Sequence, residues 1–285
     1  MKFSIIVKTF NRKKIILRTL KSIFDQTFKN YELLIIDDCS TDGTKNFLKK
    51  KINDKRVKYY FLKKNIGHIK ASEFGLNKAK GDIFCFLDSD DIWDKNFLKE
   101  HYRVYKKYKR IDCVYNNTLT IIKGKKKRIY FSNVEGKCYD KALKNLYISS
   151  QIALSFKKKT WKKLKYLDSN VAREDDDLCL RLSKYFNFKH IDKDLSYACL
   201  GNSNQVTSNK LDHANSYEEL FKKYKKDIYK YCTKLEISNH YYKISKKFYL
   251  CKKDNLSNKY LYKSLKFSLS LKNLILYFLL QIRKI

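Results

Sequence analysis

Short apolar runs alternate with amphipathic stretches along the first part of the chain. Four short, mostly apolar runs predict strands, and the continuous run at 83–87 suits a strand that is covered on both faces, as in a parallel sheet. These runs lie at residues 3–7, 31–36, 57–61 and 83–87. Between them, apolar residues recur at helical spacing, which predicts helices over 13–26 and 65–79. The alternation predicts an α/β fold with a mostly parallel, Rossmann-like central sheet and helices on both faces.

The pattern changes after the fourth strand. From Leu211 onward, apolar residues at helical spacing with flanking lysines predict three or four amphipathic helices. The sequence therefore predicts an α/β domain over 1–210 and a basic helical region over 211–285. Within the first domain, further elements are predicted as a helix at 94–108, strands at 112–122 and 149–156, and a hairpin turn at 123–126 that leads back into 129–131.

Composition is typical of a globular protein that needs no disulfides. Hydrophobic residues make up 44% of the 285 residues, and the eight cysteines form no C-x-x-C pair, which argues against a zinc site. Cysteines inside apolar runs are typical of a reducing compartment. No secretory leader precedes the first apolar run, and the apolar stretch at 274–280 is shorter than a membrane span. A cytoplasmic location is expected.

The formal net charge of +35 has two explanations. Abundant lysine, asparagine, isoleucine and tyrosine without proline is typical of an AT-rich genome, and this explanation is favoured. The other is attraction to an anionic substrate or to the inner face of the cytoplasmic membrane, with the C-terminal helices as the peripheral contact. No helix-turn-helix, zinc finger or RNA-binding motif is present, so nucleic acid is not an expected partner.

Carboxylates follow two of the predicted strands. Asp37 and Asp38 follow the second, and Asp88 and Asp90 follow the fourth with a serine between them. Ligands of open α/β sheets bind at the carboxyl ends of strands, and carboxylate oxygens suit Mg²⁺ or Mn²⁺. The alternative is an acidic turn that caps a helix near Asp94. Paired aspartates at two buried strand ends would repel each other, which favours a cation or ligand between them.

A second acidic block lies at 174–177 and leads into an amphipathic helix. Carboxylates in the first turn of a helix are stabilised by its dipole, and this structural role suits Asp176 and Asp177. Glu174 and Asp175 are left as candidates for chemistry.

Together these blocks resemble the family 2 glycosyltransferases of the GT-A fold. The resemblance is ordered and covers roughly residues 3–200. Its most specific parts are the strand that ends in Asp37-Asp38-x-Ser40-Thr41-Asp42-Gly43-Thr44 and the later Asp88-x-Asp90-Asp91 block. The other matching blocks lie at 4–12, 26–28 and 65–67. The resemblance implies a nucleotide-sugar-binding half over 1–108 and an acceptor-binding half over 109–210.

The family resemblance also implies roles for individual residues. Asp90, with Asp88, would ligate Mn²⁺ or Mg²⁺ at the diphosphate, and Asp88 is also placed near the ribose. Asp175 would act as the catalytic base, with Glu174 as the alternative. The implied nucleotide-binding residues are Thr9, Asn11, Asp37, Asp38, Asn65, Gly67, Lys70, Asp88 and Ser89.

The chain departs from the family pattern at three positions. Lys8 stands where proline usually precedes the threonine, and Ser72 stands where an arginine often helps to hold the donor. Lys70 is a candidate for the missing charge, as a point charge without the fork of an arginine. Asn202 stands where a histidine is often found after the last strand, and His213 is expected to belong to the following helix.

The resemblance implies inverting, metal-dependent transfer of a sugar, usually from a UDP-linked donor. The expected acceptor is a hydroxyl of a glycan or lipid-linked glycan in the synthesis of bacterial capsule, lipooligosaccharide or another surface polysaccharide. Two alternatives use the same residues differently. One is a nucleotidyltransferase, which would have no need of the acceptor-side acids. The other is a basic membrane- or nucleic-acid-binding protein with a degenerate transferase fold.

Overall fold

The computed structural model describes residues 1–122, 124–128, 133–168, 173–200 and 210–282. Within these ranges the chain forms two compact units. The sheet unit comprises the described residues of 1–138, 148–168 and 174–200. The helical unit comprises 139–147, Arg173 and 210–282.

The first half of the sheet unit is parallel. Its strands are β1 (Phe3–Thr9), β2 (Tyr31–Asp37), β3 (Val57–Phe61) and β4 (Ile83–Phe86). The helices α1 (Ile16–Phe24), α2 (Thr44–Lys51) and α3 (His68–Lys78) connect them. The strand order is β3-β2-β1-β4, with every neighbouring pair parallel, so the predicted βαβ alternation is confirmed. Buried apolar side chains dominate β1, β2 and β4, whereas β3 at the edge of the sheet is only partly buried.

The second half adds antiparallel pairs to this sheet. Beyond β4 the order continues with β8 (Leu154–Lys157), β6 (Cys113–Ile122), β9 (Phe188–Leu200) and β5 (Ile92–Trp93), and β7 (Lys125–Arg128) pairs with β6. The β6–β9 pair is parallel, whereas β4–β8, β6–β8, β6–β7 and β5–β9 are antiparallel. The helices of this half are α4 (Phe97–Lys107), α6 (Lys158–Leu164) and α7 (Glu174–Tyr185). A short helix between β7 and β8, α5 (Tyr139–Leu143), belongs to the helical unit.

Two predicted elements of this half differ in detail. The segment expected as a strand at 149–156 begins instead with a 3₁₀ turn at Gln151–Ala153 before β8. The carbonyl of Ile152 accepts hydrogen bonds from Trp93 Nε1 and Ser196 Oγ, at 2.6 and 3.2 Å, and so needs no strand partner. The return strand of the hairpin was expected at 129–131, which lies outside the described residues, and β7 begins earlier, at Lys125.

A close backbone contact fixes β4 beside β1. A Cβ at Gly81 would lie 2.7 Å from both Lys2 O and Ser4 Oγ, so only glycine fits at this position. Its N–H donates to Ser4 Oγ at 2.8 Å. This contact anchors the amino end of β4 and thereby positions the acidic residues that follow its carboxyl end.

The C-terminal region is helical, as predicted. It forms four helices within the described residues, α8 (Lys210–Tyr231), α9 (Lys234–Leu250), α10 (Asp254–Phe267) and α11 (Leu271–Ile282). A capping box starts α9, in which Thr233 Oγ1 accepts from Glu236 N and Glu236 accepts from Thr233 N. None of the described helices is long and apolar enough to cross a membrane.

Candidate active site

Three parallel strands bring their carboxyl ends to the same edge of the sheet. β1 and β2 are paired to their last residues, so Thr9 lies opposite Asp37. On the other side of β1, Ile6 pairs with Phe86, the last residue of β4, and Asp88 follows closely. Open α/β sheets bind their ligands at this edge. The acidic blocks after β2 and β4 therefore lie at the ends of strands that flank β1.

Lys8 supplies a positive charge among the acidic residues. Its Nζ lies 2.9 Å from Asp88 Oδ1 and donates a hydrogen bond of 2.8 Å to Gln151 Oε1. Burial lowers the pKa of Lys8, but the charges of Asp88 and Glu174 raise it, and the net shift is upward. Asp175 acts on Lys8 in the same direction. Lys8 therefore stays protonated, and its charge balances those of Asp88, Glu174 and Asp175.

Glu174 is the first residue of α7, and His68 is the first residue of α3. Nε2 of His68 lies 3.3 Å from Glu174 Oε1. Burial raises the pKa of Glu174, but the hydrogen bond from His68 and the charge of Lys8 leave it below its ordinary value. Glu174 is therefore ionised at neutral pH, with its charge balanced by Lys8 and its carboxylate hydrogen-bonded to His68.

The other acidic residues of the β4 loop are held by arginines and by the backbone. Arg18 Nη2 donates to the carbonyl of Asp90 at 2.7 Å, and Arg12 Nη2 lies 3.9 Å from Asp90 Oδ2. Asp91 is buried and accepts the N–H of Cys199 at 2.8 Å. Burial raises the pKa of Asp91 well above its usual range, and the charges of Asp88 and Asp90 raise it further.

Asp38 shapes the loop that precedes α3. Its two carboxylate oxygens accept the N–H groups of Ile66 and Gly67 at 2.7 and 2.9 Å. Gly67 has φ +85°, a conformation that favours glycine. Asn65 Oδ1 also accepts from Gly67 N, at 3.2 Å. The Asn65-x-Gly67 pattern therefore makes a turn that Asp38 pins to the end of β2.

Asn11 ties the end of β1 to the loop after β2. Its Oδ1 accepts from Thr41 N at 2.8 Å, and its own N–H donates to Ser40 Oγ at 2.9 Å. Ser40 in turn donates to Asp37, whose pKa burial raises. Among the remaining predicted site residues, Thr9 and Ser89 are buried at this edge and Lys70 is exposed on α3.

The acidic block that opens α7 divides into two parts. Asp177 is fully buried and accepts from Arg181 Nε at 2.9 Å, one helical turn later, which suits the structural role expected of it. Asp175 is half-buried, and its Oδ1 accepts the N–H of Asp176 at 2.9 Å. The structure therefore associates Glu174 and Asp175 with Lys8 and leaves Asp177 to pair within its own helix.

The donor set at Asp88 and Asp90 fits a divalent cation that is held mainly by its ligand. Both side chains are partly exposed and offer hard oxygens. No cluster of three or more metal-ligating side chains exists in the described part of the chain. Because Asp88, Asp90 and the buried Asp91 repel one another, added positive charge would stabilise the loop.

Sequence reasoning missed three contributors to this edge: His68, Gln151 and Arg18. His68 directly follows the recognised Asn65-x-Gly67 pattern, so its place at the start of α3 could have been inferred. Gln151 and Arg18 carry no local signal, because their contacts join segments far apart in sequence. The predicted histidine position, Asn202, lies outside the described residues, and His213 belongs to α8, as predicted.

Known proteins share both the sequence pattern and the fold. The profile described as "Glycosyl transferase family 2" matches residues 4–160. The putative teichuronic acid biosynthesis glycosyltransferase TuaG of Bacillus subtilis is 34% identical over 150 residues, which are 51% of this chain and 58% of TuaG. The Escherichia coli glucosyltransferase WfgD, which is named for a UDP-Glc donor and a GlcNAc-diphosphoundecaprenol acceptor, is 32% identical over 149 residues, 50% of this chain and 55% of WfgD.

Solved structures show the same fold at low sequence identity. Staphylococcus aureus TarS in complex with UDP-GlcNAc has a TM-score of 0.63 and 21% identity, over 94% of this chain and 74% of that one. The Pyrobaculum calidifontis mannosyltransferase PcManGT with GDP-Man and Mn²⁺ has a TM-score of 0.63 and 13% identity, over 100% and 81%. The predicted GT-A fold is confirmed. The chain matches less than two thirds of the length of TuaG and WfgD. From the family match and the shared fold, the chain belongs to glycosyl transferase family 2.

Proposed function

We propose that the protein transfers a sugar from a nucleotide-sugar, UDP-linked in the first instance, to a hydroxyl of a glycan or lipid-linked glycan. The expected pathway is bacterial surface-polysaccharide synthesis. Family membership supports sugar transfer, and the functions for which TuaG and WfgD are named support a surface-glycan acceptor. Contact of the C-terminal helices with an anionic membrane remains a prediction from the sequence.

Binding of the donor would use the edge where β1, β2 and β4 end. Asp37, Asp38 and Thr9 would receive the nucleoside, with Asn11 and the turn at 65–67 shaping this part of the site. Ser89 and Lys70 complete the predicted set. Asp38 already accepts two backbone N–H groups, so any bond that it makes to a base would use its remaining lone pairs.

Asp90 and Asp88 would hold Mg²⁺ or Mn²⁺, which when bound would neutralise charge on the departing diphosphate. Lys8 and Arg12 lie beside these two carboxylates and add fixed positive charge at the same place. A developing phosphate charge would therefore meet cationic side chains that need no rearrangement.

Asp175 is the proposed general base. It would take the proton of the acceptor hydroxyl while that oxygen forms a bond to the anomeric carbon, and the bond from that carbon to the diphosphate would break with its electron pair leaving on the nucleotide. Attack from the side opposite the leaving group inverts the anomeric centre. Glu174 is the weaker candidate, because its ion-paired carboxylate has a lowered pKa and is a poorer proton acceptor.

The convergence of Asp88, Glu174 and Asp175 on Lys8 carries this proposal. Calorimetric titration of the full chain with UDP-, GDP- and CMP-sugars, with and without Mn²⁺, tests it. We expect one nucleotide class to bind with Mn²⁺, and Asp90→Asn to weaken that binding by at least about tenfold. Asp82→Asn, at the opposite end of β4, is the matched control and should bind as the wild type does. A folded protein that binds no nucleotide-sugar would contradict the proposal.

A further inference from the structure

A basic cavity lies within the helical unit and is lined by residues that are not assigned to sugar transfer. It measures about 390 Å³, a size typical of small-molecule sites. Its described lining consists of Arg173, His213, Tyr217, Lys243, Lys246, Lys247 and Leu250. Four of these seven side chains are cationic and none is acidic.

One face of α8 and one face of α9 line this cavity, together with Arg173. On α9, Lys243, Lys246, Lys247 and Leu250 follow the spacing that places side chains on one face of a helix. On α8, His213 and Tyr217 lie one turn apart. Two cations lie over the ring of Tyr217. Arg173 Cζ is 5.9 Å from the ring centroid, and Lys247 Nζ is 5.4 Å from it. The three lysines therefore line the same cavity from one face of α9.

His213 connects two of the cations through its imidazole. Arg173 Nη1 lies 3.1 Å from its Nε2, and Lys247 Nζ lies 3.0 Å from its Nδ1. A neutral imidazole has only one acceptor nitrogen, whereas charged arginine and lysine are donors only. One of the two contacts therefore sets a donor against a donor. An anion that accepts from one of the cations would remove this mismatch.

Lys243 is a largely buried cation in the lining of this cavity. Its Nζ donates to Asn145 Oδ1 at 3.0 Å, and burial together with the charge of Lys272 lowers its pKa. Keeping this largely buried side chain protonated costs free energy that a bound anion would offset. A phosphate group carries enough acceptor oxygens to serve several donors at once.

We propose that this cavity is a binding site for a phosphate ester, with the lysines of α9 and Arg173 as ligands to the phosphate oxygens. The aromatic ring of Tyr217 and the apolar Leu250 leave room for the carbon skeleton that bears the phosphate. The proposal is independent of the transferase activity, since none of these residues is assigned to sugar transfer.

Binding of phosphate compounds to the full chain without divalent metal tests the proposal. The soluble probes are inorganic phosphate, glycerol phosphate and pyrophosphate, measured by calorimetry. The lipid probes are phosphatidylglycerol vesicles compared with phosphatidylcholine vesicles, measured by co-sedimentation. Binding of a soluble probe assigns the site to soluble phosphate esters, and binding of anionic vesicles alone assigns it to lipid headgroups. Either result supports the proposal if the same lysines are required.

The variants locate the binding in the cavity. Lys243→Gln with Lys247→Gln should weaken binding by on the order of a hundredfold, about tenfold for each charged donor. Lys247→Arg, which keeps the charge, should bind within a few-fold of the wild type. Lys226→Gln, an exposed change on α8, is the matched control and should have no effect.

Two results would overturn the proposal. One is a wild-type protein that binds none of the phosphate probes, and this result does not depend on the folding of any variant. The other is equal binding by the wild type and by the folded double variant, because the phosphate would then lie elsewhere, as at the donor-binding edge.

Discussion

Charged side chains are arranged differently in the sheet unit and in the helical unit. At the edge of the sheet, carboxylates lie beside basic side chains, as Asp88 does beside Lys8 and Glu174 beside His68. In the basic cavity, cationic side chains surround His213, and none of the described lining residues is acidic. Both regions belong to a chain with a net charge of +35.

This difference shows that net charge alone does not locate a function. The lysine-rich composition accounts for many exposed lysines on both units. It does not account for Lys8, which contacts Asp88 and interacts electrostatically with Glu174 and Asp175, or for Lys243 and Lys247, which lie on one face of α9. Position, burial and partner therefore separate functional cations from the compositional background. The following predictions test each side of this comparison.

The largest effect is expected at the proposed base. Asp175→Asn removes the proton acceptor while keeping the shape of the side chain, so kcat should fall by about 10²–10⁴. The KM for the nucleotide-sugar should change little, because Asp175 is assigned to the acceptor hydroxyl. Steady-state kinetics with a matched donor and acceptor would measure both constants.

Glu174→Gln is the informative companion variant. It removes the charge that balances Lys8 and accepts the hydrogen bond of His68, so we expect weaker donor binding and a smaller loss of kcat than in Asp175→Asn. A larger loss of kcat in Glu174→Gln, with Asp175→Asn near wild type, would make Glu174 the base.

The next effect concerns the stability of the sheet unit. Lys8→Met leaves Asp88 and Glu174 without their shared cation, which should lower the free energy of unfolding by about 3 kcal/mol, the lower end of the range for a broken buried pair. The reason for the lower end is that Asp88 is partly exposed. Urea unfolding would measure the change.

A metal at this edge would replace part of the missing charge. Mn²⁺ should therefore raise the Tm of Lys8→Met more than that of the wild type. Lys21→Met breaks an exposed pair with Asp25 and should change stability by no more than about 0.5 kcal/mol. A Lys8→Met protein as stable as Lys21→Met would contradict the central role of Lys8.

The sequence predicted the parallel half of the fold well because its signals are local. Each of the first four strands is a short, mostly apolar run, and each is bounded by polar or glycine residues within the same stretch. The acidic blocks after β2 and β4 were visible for the same reason. Whether the predicted residues bind donor and metal is not tested by their positions and stays a prediction.

The rest of the site depends on contacts between distant segments. Lys8 and Gln151 are separated by 143 positions, so no pattern in either segment indicates their hydrogen bond. The antiparallel strands of the second half, and the 3₁₀ turn at Gln151–Ala153, likewise depend on partners elsewhere in the sheet. The basic cavity was missed because the spacing of lysines on α9 resembles any solvated helix face until α8 is placed against it.

A pH dependence of stability is expected from both units. Burial is the main cause that lowers the pKa of His101, His213 and His240 to about 4. The value for an unfolded chain is about 6.5. The unfolded state then binds more protons between pH 6.5 and 4, so stability is complete above pH 6.5 and is lost as the pH falls through this window.

Each histidine contributes at most about 1.4 kcal/mol per pH unit to this slope. Urea unfolding at pH 7, 6 and 5 should show His213→Gln with a flatter dependence than the wild type by up to that amount. Lys226→Gln should keep the wild-type slope. Equal slopes in the wild type and His213→Gln would mean that His213 is not held neutral by its surroundings.

The smallest effect is a shift in the titration of His213 when phosphate binds. Arg173 and Lys247 both help to keep its pKa low, so an anion beside them should raise that pKa by about one unit. NMR titration can resolve this, since the chain has five histidines and the spectrum of His213→Gln identifies the resonance. His101, buried in the sheet unit between Ser155 and Asn116, serves as the internal reference and should not shift. Equal shifts at both histidines would indicate a general salt effect, whereas a shift at His213 alone would place the anion at the basic cavity.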